Sequence, residues 1–126
     1  MASIETSRDY ENDLTINTVM GPVTGDEIVR RIVEYHTGEP TKLAIWDFSS
    51  ADLTRLDIEL LKPLAETGKE GYRRRPGRKT ALVVPSDLAY GMALMWSALI
   101  ELEDLPVENR AFRSMKEAKE WLGIGA

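Results

Sequence analysis

The chain of 126 residues has no cysteine. That excludes disulfides, thiol nucleophiles, iron–sulfur clusters and cysteine-ligated zinc, and it fits a reducing compartment. Histidine occurs once, at His36, so any hydrolase triad or zinc site would have to use that single ring. Positive charge is in deficit, with 16 Lys and Arg against 21 Asp and Glu and a net charge of −5. This balance argues against general nucleic-acid binding. No apolar run approaches the roughly 18 residues of a membrane-spanning helix. Glu5 and Asp9 stand where a secretory leader would be apolar. A cytoplasmic protein is expected, with no membrane span, no nucleic-acid partner, no metal and no cofactor.

What is present reads as one α/β domain over residues 1–126, a length that builds a core without staples. Ser3–Asp9 and Leu14–Met20 read as two strands joined through Glu11-Asn12-Asp13, a hairpin at the sheet edge. In the second strand, Leu14, Ile16, Thr18 and Met20 alternate with Thr15, Asn17 and Val19, the pattern of a half-buried strand. Thr24-Gly-Asp-Glu27 is a capping box ahead of Ile28, Val29, Ile32, Val33 and Tyr35 at helical spacing. Gly38 and Pro40 end that helix. Lys42–Phe48 is an almost unbroken apolar run, which belongs to a central strand covered on both faces.

After it, Thr54 is expected to cap a second helix whose inner face is Leu56, Leu60, Leu61, Leu64 and Ala65. Pro63 either kinks that helix or starts a second piece. Gly68 to Gly77 reads as a polar connector. Lys79–Pro85 is the next central strand. Ser86 caps a third helix with the stripe Leu88, Met92, Met95, Trp96, Leu99 and Ile100. Gly91 inside it suggests close approach to a strand. Val107–Arg113 is the last strand, and Ser114-Met-Lys-Glu117 is a second capping box before Ala118, Trp121 and Leu122. The order ββαβαβαβα predicts a mostly parallel sheet of about five strands with helices on both faces.

Charge is unevenly spread. Residues 1–60 hold 5 basic and 12 acidic residues, and residues 61–79 hold 7 basic and 2 acidic. The run Arg73-Arg-Arg-Pro-Gly-Arg-Lys79 is either an anion patch or a solvated connector, with the connector favoured. His36 is assigned to an exposed helix C-terminus. Asp47 ends the central strand where a receiver domain carries its phosphoacceptor. That chemistry needs acidic residues at the end of an earlier strand, and Val19-Met20-Gly21 supplies none. Asp47 is therefore expected to brace the loop to Asp52. Tyr90 and Trp96 cannot both face inward from one stripe, so one of them lines a pocket or a homodimer face.

Three segments carry a resemblance: Ile45-Trp-Asp-Phe-Ser-Ser-Ala-Asp-Leu53, Ala81-Leu-Val-Val-Pro-Ser-Asp-Leu-Ala-Tyr-Gly91, and Phe112-Arg-Ser-Met-Lys-Glu-Ala-Lys-Glu-Trp-Leu122. With them the chain resembles the STAS/SEC14-like family of bacterial proteins typified by the sporulation anti-sigma-factor antagonist. The resemblance implies a non-enzymatic regulatory or interaction module with a partner protein. In the antagonists a serine after the central strand is phosphorylated within an Asp-Ser-Ser-Gly motif; here the helix start reads Thr54-Arg-Leu-Asp57. The hydroxyls nearby are Ser49, Ser50 and Thr54. The expected working surface is therefore Asp47, Ser49, Ser50, Asp52, Thr54 and Asp57 together with Ser86 and Tyr90. The SEC14-like members imply the alternative, a small apolar or lipid-like ligand held in a pocket.

Overall fold

A computed structural model describes residues 3–38, 40–56, 59, 61–74 and 76–124. The elements are β1 (Ser3–Asp9), β2 (Leu14–Pro22), α1 (Gly25–Thr37), β3 (Leu43–Asp52), α2 (Leu61–Arg74), β4 (Arg78–Val83), α3 (Asp87–Leu102), β5 (Val107–Phe112) and α4 (Met115–Leu122). They form one sheet in the order β1-β2-β3-β4-β5, antiparallel at β1–β2 and parallel from β2 onward. The expected α/β order and the mostly parallel five-stranded sheet are both present.

The order never reverses. Three successive right-handed crossovers stepping in one direction place their helices on one face. So α1, α2 and α3 cover one side, where Val19, Ile28, Ile32 and Leu64 cluster and where Ala89 and Ala93 pack on Leu82 and Val84. Only α4 covers the other side, through Ala118 and Leu122 on Leu43, Ile45, Ala81 and Val83. Ile45 and Ala81 are 0% exposed and Val83 is 1% exposed. Burial of a Val or Ile side chain contributes about 1.5–3 kcal/mol.

Several expectations are corrected. In β2 the more deeply buried face is the one bearing Thr15, Asn17 and Val19, because α4 is too short to cover the outer strands. Burial of its polar members is offset by hydrogen bonds. Thr15 Oγ1 lies 2.8 Å from Thr41 Oγ1, and Thr6 Oγ1 donates to Asn17 Oδ1 at 2.7 Å. Thr24 stands at the N-cap of α1 but makes no capping bond; its hydroxyl donates to Glu27 Oε1 at 3.1 Å instead. Helix α2 starts at Leu61, so Thr54 is not its cap, and Pro63 sits in the first turn, where a missing N–H is harmless. The supposed connector from Gly68 is helix as far as Arg74.

The glycines explain that last correction. A Cβ on Gly71 would lie 2.3 Å from His36 Cγ, and one on Gly68 would lie 2.7 Å from Tyr72 Cε2. They let α2 close onto α1, and the ring of His36 packs edge-on to Tyr35 and Tyr72 in the seam. His36 is thus half-buried packing rather than an exposed helix end. Burial, with a smaller contribution from Tyr35, pushes the Tyr72 phenol above its ordinary range. The basic run also divides. Arg73 and Arg74 end α2, whereas Arg78 is buried and donates to the carbonyl of Thr41 and to Tyr35 Oη. Lys79 lies 5.3 Å from the centre of the Trp121 ring.

Gly71→Ala is expected to lose about 1–3 kcal/mol in urea unfolding, the cost of overpacking. Gly71→Ala with His36→Ala should lose clearly less than the two singles added together; strict additivity would show that the seam is not the cause. Ser86 Oγ does accept from Ala89 N at 3.1 Å, so Ser86→Ala should cost about 1 kcal/mol while Thr24→Ala costs a few tenths. Equal losses in thermal or urea unfolding would contradict the two cap geometries.

Candidate functional site

The register of the sheet builds the rim where the sequence-predicted residues sit. β3 pairs with β4 only as far as Asp47↔Val83. There β4 turns away into Pro85-Ser86, while β3 runs on through Phe48–Asp52 beside β2 alone, past an irregularity between Thr18 and Met20. The extension is held by Met20↔Ser50, Gly21↔Ala51 and Pro22↔Asp52, and by Val23 N donating to Asp52 O at 3.2 Å. It projects beyond the neighbouring strand and exposes Ser49, Ser50, Asp52 and Thr54.

Each carboxylate braces its own turn. Asp47 Oδ1 accepts from Ser49 N at 3.0 Å and Ser49 Oγ at 2.5 Å. Asp52 Oδ1 accepts from Thr54 N at 3.0 Å and Thr54 Oγ1 at 2.6 Å. The Thr54 hydroxyl, then its amide, hold the Asp52 carboxyl below the usual carboxylate range. Asp47 thus braces the stretch toward Asp52 at its first turn, through Ser49. Asp57 lies outside the described residues.

The second arm is the start of α3. Ser86 caps it, Asp87 follows in the first turn, and Tyr90 is half-buried. The arms meet through apolar contact, since Leu53 from the β3 extension and Tyr90 from α3 lean on the same cluster of Leu82, Val84, Ala89 and Ala93. Arg113, from the end of β5, was not singled out from sequence; its guanidinium meets Asp87 Oδ1 at 2.5 Å and Pro85 O at 3.3 Å. Only its place beside the Ser114 cap hinted at it. Trp46 and Phe48, stacked at 5.9 Å between ring centres, form the floor and were read as strand core.

Beneath the rim lies an apolar cavity of about 80 Å³, walled by Trp46, Phe48, Leu53, Met92 and Trp96 among others. Trp96 therefore faces inward, its Nε1 donating to Asn109 Oδ1 at 3.2 Å. Ligand pockets usually run to roughly 300–1,000 Å³, so this space is too small for a lipid-like guest. The one histidine is elsewhere: α1 runs back from the C-terminal ends of the strands and leaves His36 at their N-terminal ends, in the α1–α2 seam. Among the described residues no group of three His, Cys, Asp or Glu is placed to hold a metal, and no helix is long and apolar enough to cross a membrane.

No family model matches the chain, and no curated protein matches it. Solved structures do. An uncharacterized protein of the DUF3478 family with a SpoIIAA-like fold, from Shewanella loihica PV-4, aligns with a TM-score of 0.61 at 15% identity over 96% of this chain and 93% of that one. The unphosphorylated anti-sigma factor antagonist SpoIIAA aligns with a TM-score of 0.59 at 11% identity over 98% of this chain and 100% of its own. The chain has the SpoIIAA-like fold. This is the STAS-type architecture that the three sequence segments imply. These two neighbours are a regulatory protein and an uncharacterized one, and they agree with the chain in architecture at very low identity.

The depressed carboxyl has a pH consequence. A carboxylate whose folded pKa lies below its unfolded value stabilises the fold above the ordinary carboxylate range, and that contribution fades as pH falls through the lowered value. Thr54→Val removes the larger cause. Carboxyl carbon NMR titration should then show the Asp52 midpoint rising toward 3.8, its ordinary value; an unmoved midpoint would reject this account of the turn.

Proposed function

We propose that the chain is a non-enzymatic, cytoplasmic regulatory module that acts by binding a partner protein at the rim. The contact residues would be Asp47, Ser49, Ser50, Asp52, Thr54 and Asp57 on one arm, with Ser86 and Tyr90 on the other. The observation that carries this reading is the separation of chemistries. Exposed hydroxyls and carboxylates gather on a protruding surface, whereas the only imidazole packs between two tyrosines at the far end of the strands. Among the described residues no imidazole stands beside these hydroxyls, as Ser-His acyl transfer would need, and exposed groups of this kind suit recognition of a partner.

The comparison with an anti-sigma factor antagonist supports the same class of role. Modification of Thr54 or Ser49 would act differently here from a phosphate seated on helix amides. Thr54 lies seven residues before α2 begins, so the dipole of α2 does not receive the added charge. Its hydroxyl already donates to Asp52, and a phosphate there would break the turn by like-charge repulsion. The predicted effect is loss of partner binding through a reshaped rim.

Affinity purification from the source cell, followed by binding of the recovered partner to purified variants, tests this. Thr54→Glu and Tyr90→Ala should each weaken binding by about tenfold or more, as central contact residues do. Lys62→Ala, on the exposed side of α2, should bind like the parent. If both rim variants match the parent in affinity, the rim is not the recognition surface.

A further inference from the structure

The third helix is apolar on every side. From Leu88 to Ile100 no residue carries a charge. Its inner face is Ala89, Ala93 and Ile100, all buried. Of the expected stripe, Met92, Trp96, Leu99 and Ile100 are half-buried or buried, whereas Leu88 and Met95 turn outward beside Leu94 and Leu102; these four are 74%, 45%, 54% and 80% exposed. Gly91 lies on this outer face too. A Cβ there would meet nothing within 4 Å, so its expected approach to a strand does not occur. A helix apolar all round is ordinarily buried on all sides, and one side of α3 has no cover within the described chain.

We propose that this face pairs with α3 of a second copy of the chain, antiparallel, across a twofold axis passing near Met95. The pattern of side chains is self-complementary. Leu88 and Leu102 each stand seven residues, two helical turns, from Met95. A twofold contact requires that arrangement, because residue i meets j wherever j meets i. Gly91 and Ala98 fall between the bulky positions and allow the two backbones to come close.

Charge selects the same occupant. The last turn of α3 has no basic residue of its own; Lys69 of α2 bridges Glu103 at 3.4 Å, while Glu101 is exposed at the negative end, where the helix dipole disfavours it. The first turn carries Asp87 with Arg113 against it. Antiparallel pairing brings Arg113 and the positive end of one helix toward Glu101 of the other, while Asp87 and Glu103, which the twofold sets opposite each other, each keep a cation of their own chain. A lipid surface offers no such match, since surface-lying helices carry Lys and Arg on their polar flanks and α3 has neither. The exposed side chains amount to a few hundred Å² per copy, below the roughly 800 Å² per partner of a standard interface. The dimer is therefore reversible, dissociating on the order of micromolar.

This pairing does not rest on the rim, and its test is separate. Sedimentation velocity and light scattering across low to high micromolar chain should show the mass rising from 14.2 kDa toward twice that value. Met95→Glu sets two carboxylates at the axis and should raise the dissociation constant by about a hundredfold or more, with an unchanged far-UV circular dichroism spectrum. The chain has no cysteine of its own, so crosslinking reads the register directly. Met95→Cys should link to itself under mild oxidation. Leu88→Cys and Leu102→Cys should stay unlinked alone and link when mixed. Thr54→Glu should dimerise like the parent. A mass that stays at one chain throughout, a Met95→Glu variant that associates unimpaired, or Leu88→Cys linking to itself better than to Leu102→Cys would each overturn the proposal. So would binding of the monomeric parent to phosphatidylcholine vesicles that Met95→Glu abolishes, which would assign the face to lipid.

Discussion

Two parallel strands kept dry on both faces hold this molecule together. β3 and β4 pair from Leu43↔Lys79 to Asp47↔Val83. Ile45, Ala81 and Val83 face α4, while Leu82 and Val84 face α3. A parallel pair cannot be made by a hairpin; it needs a crossover, and the crossover helix must cover the strands it joins. From this requirement follow the three helices on one face, the lone helix on the other, and the thinner cover over β2. The polar side chains of β2 that become buried, Thr15 and Asn17, find hydroxyl partners in the flanking loop and in β1, Thr41 and Thr6.

The unreversed strand order also bears on function. In doubly wound sheets a ligand crevice opens where the strand order turns back. Here it never turns back, and no such crevice forms. At the C-terminal ends of the strands Leu53 and Tyr90 pack on one apolar cluster, and a small apolar void lies beneath. What this end of the molecule offers is a surface whose shape is set by the overrun of β3 past β4. Low-identity neighbours share this architecture.

Glycine shows how far local reading reaches. Gly68 and Gly71 look like helix breakers in sequence, and Pro76-Gly77 follows them, so a connector was the natural expectation. In the fold Gly71 lets α2 approach α1, with His36 filling the space a methyl would need, and Gly68 makes room for the Tyr72 ring that packs on it. Gly91 gives the opposite lesson. It looks like a close-approach residue and instead faces outward with open space beyond it. The identity of the residue is the same in all three cases; the neighbour across the helix decides its meaning.

The legible features are those closed by short-range bonds or by periodicity. The cap at Ser86 is an i→i+3 bond, the Asp47 brace is an i→i+2 bond, and the apolar runs around Ile45 and Val83 declare doubly covered strands. Thr54 misled because Thr-x-x-Asp has the form of a helix start. The chain instead stays extended to Asp52, where β2 supplies hydrogen-bond partners from thirty residues earlier. Likewise Leu88 and Met95 have core-like identities, yet small Ala89 and Ala93 take the inner face because α3 lies close on β4 and β5. The sequence by itself determined the elements, their order and hence the class of sheet, since these depend on local propensity and hydrophobic period. The tertiary structure alone decided where β3 ends, which side of α3 is dry and where the histidine goes, because each of those depends on a partner distant in the chain.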